Sequence, residues 1–124
     1  MNVAQILRYM YPDANPNADY QVGDDGSGPR IVAWNYAKAP QPSDADLSAN
    51  AVAAQMAEDW EIYRGQARVL LDSSDTTILR CYEHAVPVPA GWVTYRAALR
   101  AIVSAPSGDP TQPLPLKPAY PSGT

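Results

Sequence analysis

Phenylalanine is absent from this chain of 124 residues, and cysteine and histidine occur once each. A single cysteine, Cys81, excludes an internal disulfide framework and a multi-cysteine zinc site, and it fits a reducing compartment. No apolar run approaches the roughly 18 residues that span a bilayer. The first residues lack the basic-then-apolar pattern of a secretory leader, so the chain reads as soluble and intracellular, with no membrane association. Positive charge is also scarce. Nine Lys and Arg against thirteen Asp and Glu give a net charge of -4 and a pI near 4.7, which argues against a nucleic-acid binder that works by bulk electrostatics. A mass of 13.4 kDa leaves room for a thin core, not for a multi-lobed enzyme.

What replaces phenylalanine is informative. Eight Tyr and three Trp carry an apolar body with a polar handle, a selection suited to a half-wet core or a contact surface. Proline is plentiful and uneven: six of thirteen lie beyond Ala105, where each removes a backbone donor and fixes φ. Neither helix nor central strand is expected there.

Along the chain, Val3, Ile6, Leu7 and Met10 fall at helical spacing before Pro12, which predicts a short docking helix. Tyr20-Gln21-Val22 and Arg30 to Trp34 flank Gly23-Asp24-Asp25-Gly26-Ser27-Gly28 and predict a β-hairpin. Ser43 is placed to cap a long helix opening with Asp44 and Asp46. Its stripe of Val52, Met56, Trp60, Tyr63, Ala67, Leu70 and Leu71 ends at Ser73-Ser74-Asp75, so the rod is expected to run about 28 residues, or about 42 Å. Gly65 within it marks a bend, a break or a close backbone approach. Asp75 then caps a second short helix over 76–83, and Pro89 starts a last one with Trp92, Tyr95, Leu99, Ile102 and Val103 as its stripe. The expected class is α+β: a short N-terminal helix and hairpin (1–42), a helical module of one long and two shorter helices (43–105), and an extended Pro-rich tail (106–124).

No catalytic constellation emerges. Cys81 and His84 are three apart, but nucleophile and base normally come from different elements with a third group to orient the base, and metal sites need three or four ligands. They read as a packed thiol and a surface imidazole. Asp24, Asp25, Gly26 and Ser27 lack the alternating acids and closing Glu of a calcium loop, and their charge repels phosphate. Glu61 with Arg64 or Arg68 reads as a solvated ion-pair ladder. The chain is therefore expected not to be an enzyme and to need no cofactor or metal. The expected partner contacts are Tyr20, Val22, Ile31 and Trp34 on the hairpin, Trp60, Tyr63, Trp92, Tyr95 and Arg96 on the helices, and Tyr120 in the tail. The tail segment 114–121, cheap to order on binding, suits groove docking or is an idle terminus.

Two stretches are familiar. Ile6-Leu7-Arg8-Tyr9-Met10-Tyr11-Pro12, Asp19 to Val22, Asp25 to Gly28, Ile31 to Asn35 and Ala39 to Ser43 together resemble the XkdW-like proteins of defective-prophage tail clusters, over about residues 1–47. Leu70 to Thr76, Trp92-Val93-Thr94-Tyr95-Arg96-Ala97-Ala98-Leu99-Arg100-Ala101-Ile102 and Pro118 to Pro121 resemble phage tail assembly chaperones. Thr76 stands where that family often has a tryptophan. The resemblance implies a non-enzymatic accessory protein of the host bacterial cytoplasm that holds a tail fibre or receptor-binding protein during assembly, with a homo-oligomer as a further option. The alternative it leaves open is a permanent tail, fibre-tip or baseplate component retained in the virion.

Overall fold

The computed structural model describes all 124 residues. The elements are α1 (Val3–Met10), β1 (Tyr20–Asp24), β2 (Pro29–Trp34), α2 (Asp44–Glu83) and α3 (Ala90–Ser104), an α+β set in the expected order. The chain divides into two compact units, Met1–Glu58 and Asp59–Thr124. The expected segment boundaries mark the start of α2 and the end of α3; the division itself falls within α2.

In the first unit Asn2 caps α1, its side-chain oxygen accepting the Gln5 N–H at 3.0 Å. Val3, Ile6 and Leu7 are fully buried and pack with Ala14, Tyr20, Leu47 and Ala54. The hairpin is antiparallel, pairing Tyr20 with Trp34 and Gln21 with Ala33, with a bulge before Val22 meets Ile31. A two-stranded ribbon is marginal alone, and Tyr20, Val22, Ile31 and Trp34 all join the core built on α1. Its turn is self-supporting: the Asp24 carboxylate accepts the Gly26 and Gly28 N–H groups, and both glycines take positive φ. Ser43 and Asp46 close a reciprocal cap at the start of α2, each side chain accepting the other's backbone N–H. The Ser43 N–H holds the Asp46 carboxyl below its ordinary value, so the cap's contribution is present above the usual carboxylate range and is lost in acid as pH falls through the lowered pKa.

Two expectations about α2 are corrected. Ser73-Ser74-Asp75 does not end it: α2 runs 40 residues without a break, and the expected helix over 76–83 is its last two turns. The hydroxyls that looked like helix breakers bond back to their own helix, Ser73 to the Val69 carbonyl and Ser74 to the Leu71 carbonyl. In the first unit the packed face is Leu47, Ala51 and Ala54, whereas Val52 and Met56 are 74% and 48% exposed. Small alanines admit close neighbours: the buried Gln5 amide reaches the carboxylate of Glu58 and the side-chain oxygen of Gln55. Gly65 marks neither break nor close approach, since nothing lies within 4 Å of where its Cβ would be.

The second unit is built on Ala67, Trp92, Tyr95 and Leu99, with Leu70, Leu71, Ile102 and Leu114 against them. α2 ends in a Schellman closure, Val86 N–H to Cys81 O and Ala85 N–H to Tyr82 O, which places Ala85 at φ 53. Cys81 is fully buried and His84 is exposed. Two substitutions follow from these positions. Gly65→Ala, on an exposed helical site with open space, is expected to stabilise the chain by about 1 kcal/mol. Ala85→Gly, which relieves a left-handed alanine, is expected to add about 1 kcal/mol. Urea unfolding midpoints check both, and a fall in either midpoint would contradict the local geometry.

Candidate functional site

On the hairpin the expected contact residues are committed inward: Tyr20 is buried, and Val22, Ile31 and Trp34 are half-buried. Trp34 stacks on Tyr20, meets Tyr11 and Tyr36 edge-on, and donates its indole N–H to the Ala39 carbonyl at 3.0 Å. What remains for a partner is backbone and the side chain of Val32, 49% exposed on β2. Because Asn35 N–H bonds Asp19 O, the next opposed pair, Tyr20 and Trp34, turns its N–H and C=O groups toward the outer edges of the ribbon. With only two strands in the sheet, neither outer edge is paired to a third.

In the second unit the structure places these residues on the packed faces of α2 and α3 as two separate pairs, Trp60 with Tyr63 and Trp92 with Tyr95, with Arg96 one residue beyond the second pair; all but Arg96 are less than 8% exposed. Arg96 is half-buried. Its guanidinium donates to the Ser74 hydroxyl and, at 2.7 Å, to the Asp75 carboxylate. The Ser-Ser-Asp run is thus the seat for that arginine. Arg64, expected in a solvated ladder, sends two N–H groups to the Val103 carbonyl at 3.1 and 2.9 Å while keeping its 2.7 Å pair with Glu61. It caps the C-terminus of α3, where carbonyls have no partner within the helix. Sequence spacing along α2 gives no signal for a contact made across to α3.

The Pro-rich tail is not free: it is seated on the second unit. Residues 105–121 form a strap seated on α2 and α3. Trp60 donates its indole N–H to Ala105 O at 3.0 Å, Tyr63 its hydroxyl to Pro113 O at 3.4 Å, and Trp92 its indole N–H to Ala119 O at 2.9 Å. Proline strips donors from the strap but leaves its carbonyls, and Tyr and Trp supply what is missing. Tyr120, 63% exposed, stacks on Trp92 with centroids 6.1 Å apart. Lys117 Nζ donates to the Tyr120 hydroxyl at 2.8 Å, which raises the lysine pKa and lowers that of the tyrosine.

Residues 3–59 match the family model described as XkdW protein, and the match marks the chain as phage-related. Comparison with curated proteins and with solved structures returns no match. No helix is long and apolar enough to cross a membrane.

Close packing around the strap is tested at Gly108, where a Cβ would come within 2.6 Å of the Trp60 ring. Gly108→Ala is expected to destabilise the second unit by about 1–3 kcal/mol through overpacking. Gly91→Ala, an exposed position in the first turn of α3 with its nearest atom on Pro118 at 3.9 Å, serves as the control and is expected to leave stability unchanged or to raise it by up to about 1 kcal/mol. Urea unfolding of the two variants would contradict this packing if both behaved alike.

Proposed function

We propose that this chain is a bacteriophage or prophage tail assembly chaperone that holds a tail fibre or receptor-binding protein by non-covalent contact, without catalysis or a cofactor, in the host cytoplasm. The observation that carries the reading is the XkdW family match at residues 3–59, which coincides with the first unit, Met1–Glu58. That unit holds the hairpin whose outer edges are unpaired by any third strand. An exposed strand edge is a template for an added strand. Tyr20, Val22, Ile31 and Trp34 are used in the core, so the hairpin contributes mainly backbone hydrogen bonds and the client most of the specificity-bearing side chains. Charge sorts clients as well: seven acidic and three basic side chains lie in residues 1–58, while the remainder is balanced, so an acidic client segment is repelled from this unit.

Coexpression with the tail-fibre protein encoded beside it is expected to raise the fibre's soluble yield and to return both proteins in one complex. Gln21→Lys, an exposed edge-strand position given a charge that blunts strand addition, is expected to lower recovery of the complex several-fold with the fold intact by circular dichroism. Unchanged fibre solubility together with no co-purification would end the chaperone reading. Mass spectrometry of purified particles is expected to find the chain missing; its presence at fixed stoichiometry would make it a permanent tail component instead.

A further inference from the structure

The second unit carries an arrangement that the hairpin reading does not use. Four prolines, Pro113, Pro115, Pro118 and Pro121, space the strap into an extended segment whose carbonyls outnumber its donors. Facing it are a phenol and an indole that donate to the carbonyls of Pro113 and Ala119, and aromatic rings on which it lies. Aromatic planes combined with side-chain N–H or O–H donors are the chemistry by which proline-rich extended peptides are recognised.

The resident segment fits this face incompletely. No backbone–backbone hydrogen bond ties residues 106–124 to the helices. Leu116, in the middle of the strap, is 91% exposed. Two cavities open beside it: one of about 460 Å³ lined by Trp60, Tyr63, Ile102, Pro113 and Pro115, and one of about 180 Å³ lined by Ser74, Thr77, Trp92, Tyr95 and Tyr120. An occupant with fuller side chains would bury surface that the strap leaves wet. A segment held by packing and a few side-chain donors belongs to the readily opened part of a structure.

We propose that the α2–α3 face of the second unit is a receptor for an extended, proline-rich peptide segment, occupied in the free chain by residues 113–121, which a proline-rich segment of a partner protein replaces. The tether keeps the strap at a high effective concentration. Only an occupant that fills the face better displaces it, so the site stays closed to weak competitors.

The test uses the full chain with a protease recognition sequence inserted after Thr111, in an exposed stretch, folded first and cut afterwards. The probe is a synthetic peptide of residues 112–124, and the readout is the Trp92 indole N–H resonance. The cut chain is expected to keep its helix content after release of the strap and to rebind the peptide saturably. Replacing the four prolines of the peptide by alanine is expected to weaken rebinding at least about tenfold, since the extended form is then no longer pre-set. Trp92→Phe, which keeps an aromatic ring and removes the donor along with the reporting resonance, is expected to weaken rebinding about five- to tenfold when followed by isothermal titration calorimetry. Loss of helix content on strap release would overturn the proposal by making the strap part of the fold. Equal binding of the alanine peptide would also overturn it, as would sedimentation of the uncut chain as a tail-exchanged dimer, which would make a second copy the occupant.

Discussion

Donation of an indole N–H to a carbonyl in a proline-flanked segment is the interaction on which the seating of this protein's extended segments depends. It occurs three times, from Trp34 to Ala39, from Trp60 to Ala105 and from Trp92 to Ala119. Each acceptor lies in a stretch where proline forbids a helix or a sheet ladder, so the backbone cannot satisfy itself. A tryptophan brings two contributions to such a stretch: a large apolar surface to bury, and one donor for the orphaned oxygen. A net gain of about 1 kcal/mol per bond is modest. Its importance lies in placement, because the same side chains form the cores.

This gives a physical reason why Trp34, Trp60, Tyr63 and Trp92 are not phenylalanine. Phenylalanine would match the burial and leave the carbonyls unpaired. Tyrosine does what tryptophan does where the reach differs: Tyr63 donates to Pro113, and the exposed Tyr120 lies over Trp92 and takes the Lys117 ammonium. The amino-acid choice that suggests a half-wet core or a contact surface from composition alone serves, at these four positions, to anchor extended segments.

Much of the architecture was legible because it is local. The periodicity of Val3, Ile6, Leu7 and Met10, the glycine-and-aspartate turn, and the Ser43 cap are each decided by neighbours in sequence, and each forms where the pattern indicates. The failures are all non-local. Ser73, Ser74 and Asp75 look like a helix end until Ser73 bonds back to Val69 and Arg96 arrives from another element to occupy Ser74 and Asp75. Val52 and Met56 are the more apolar choices on their stretch, but α1 needs the small Ala51 and Ala54, which no hydrophobicity pattern favours. The tail's prolines correctly exclude regular structure, yet they say nothing of the donors waiting for its carbonyls twenty to fifty residues away. Trp60, Tyr63, Trp92 and Tyr95, expected as partner contacts, are buried inside the second unit, where they build its scaffold.

The measurement that bears most directly on this account is hydrogen exchange of the three tryptophan indole N–H groups, followed by NMR in the intact chain. With the bonds described, the signals of Trp60 and Trp92 should exchange at least about a hundredfold more slowly than a free indole, with Trp34 also protected. Exchange of Trp60 and Trp92 at the rate of a free indole, while the backbone amides of α2 and α3 stay protected, would contradict it.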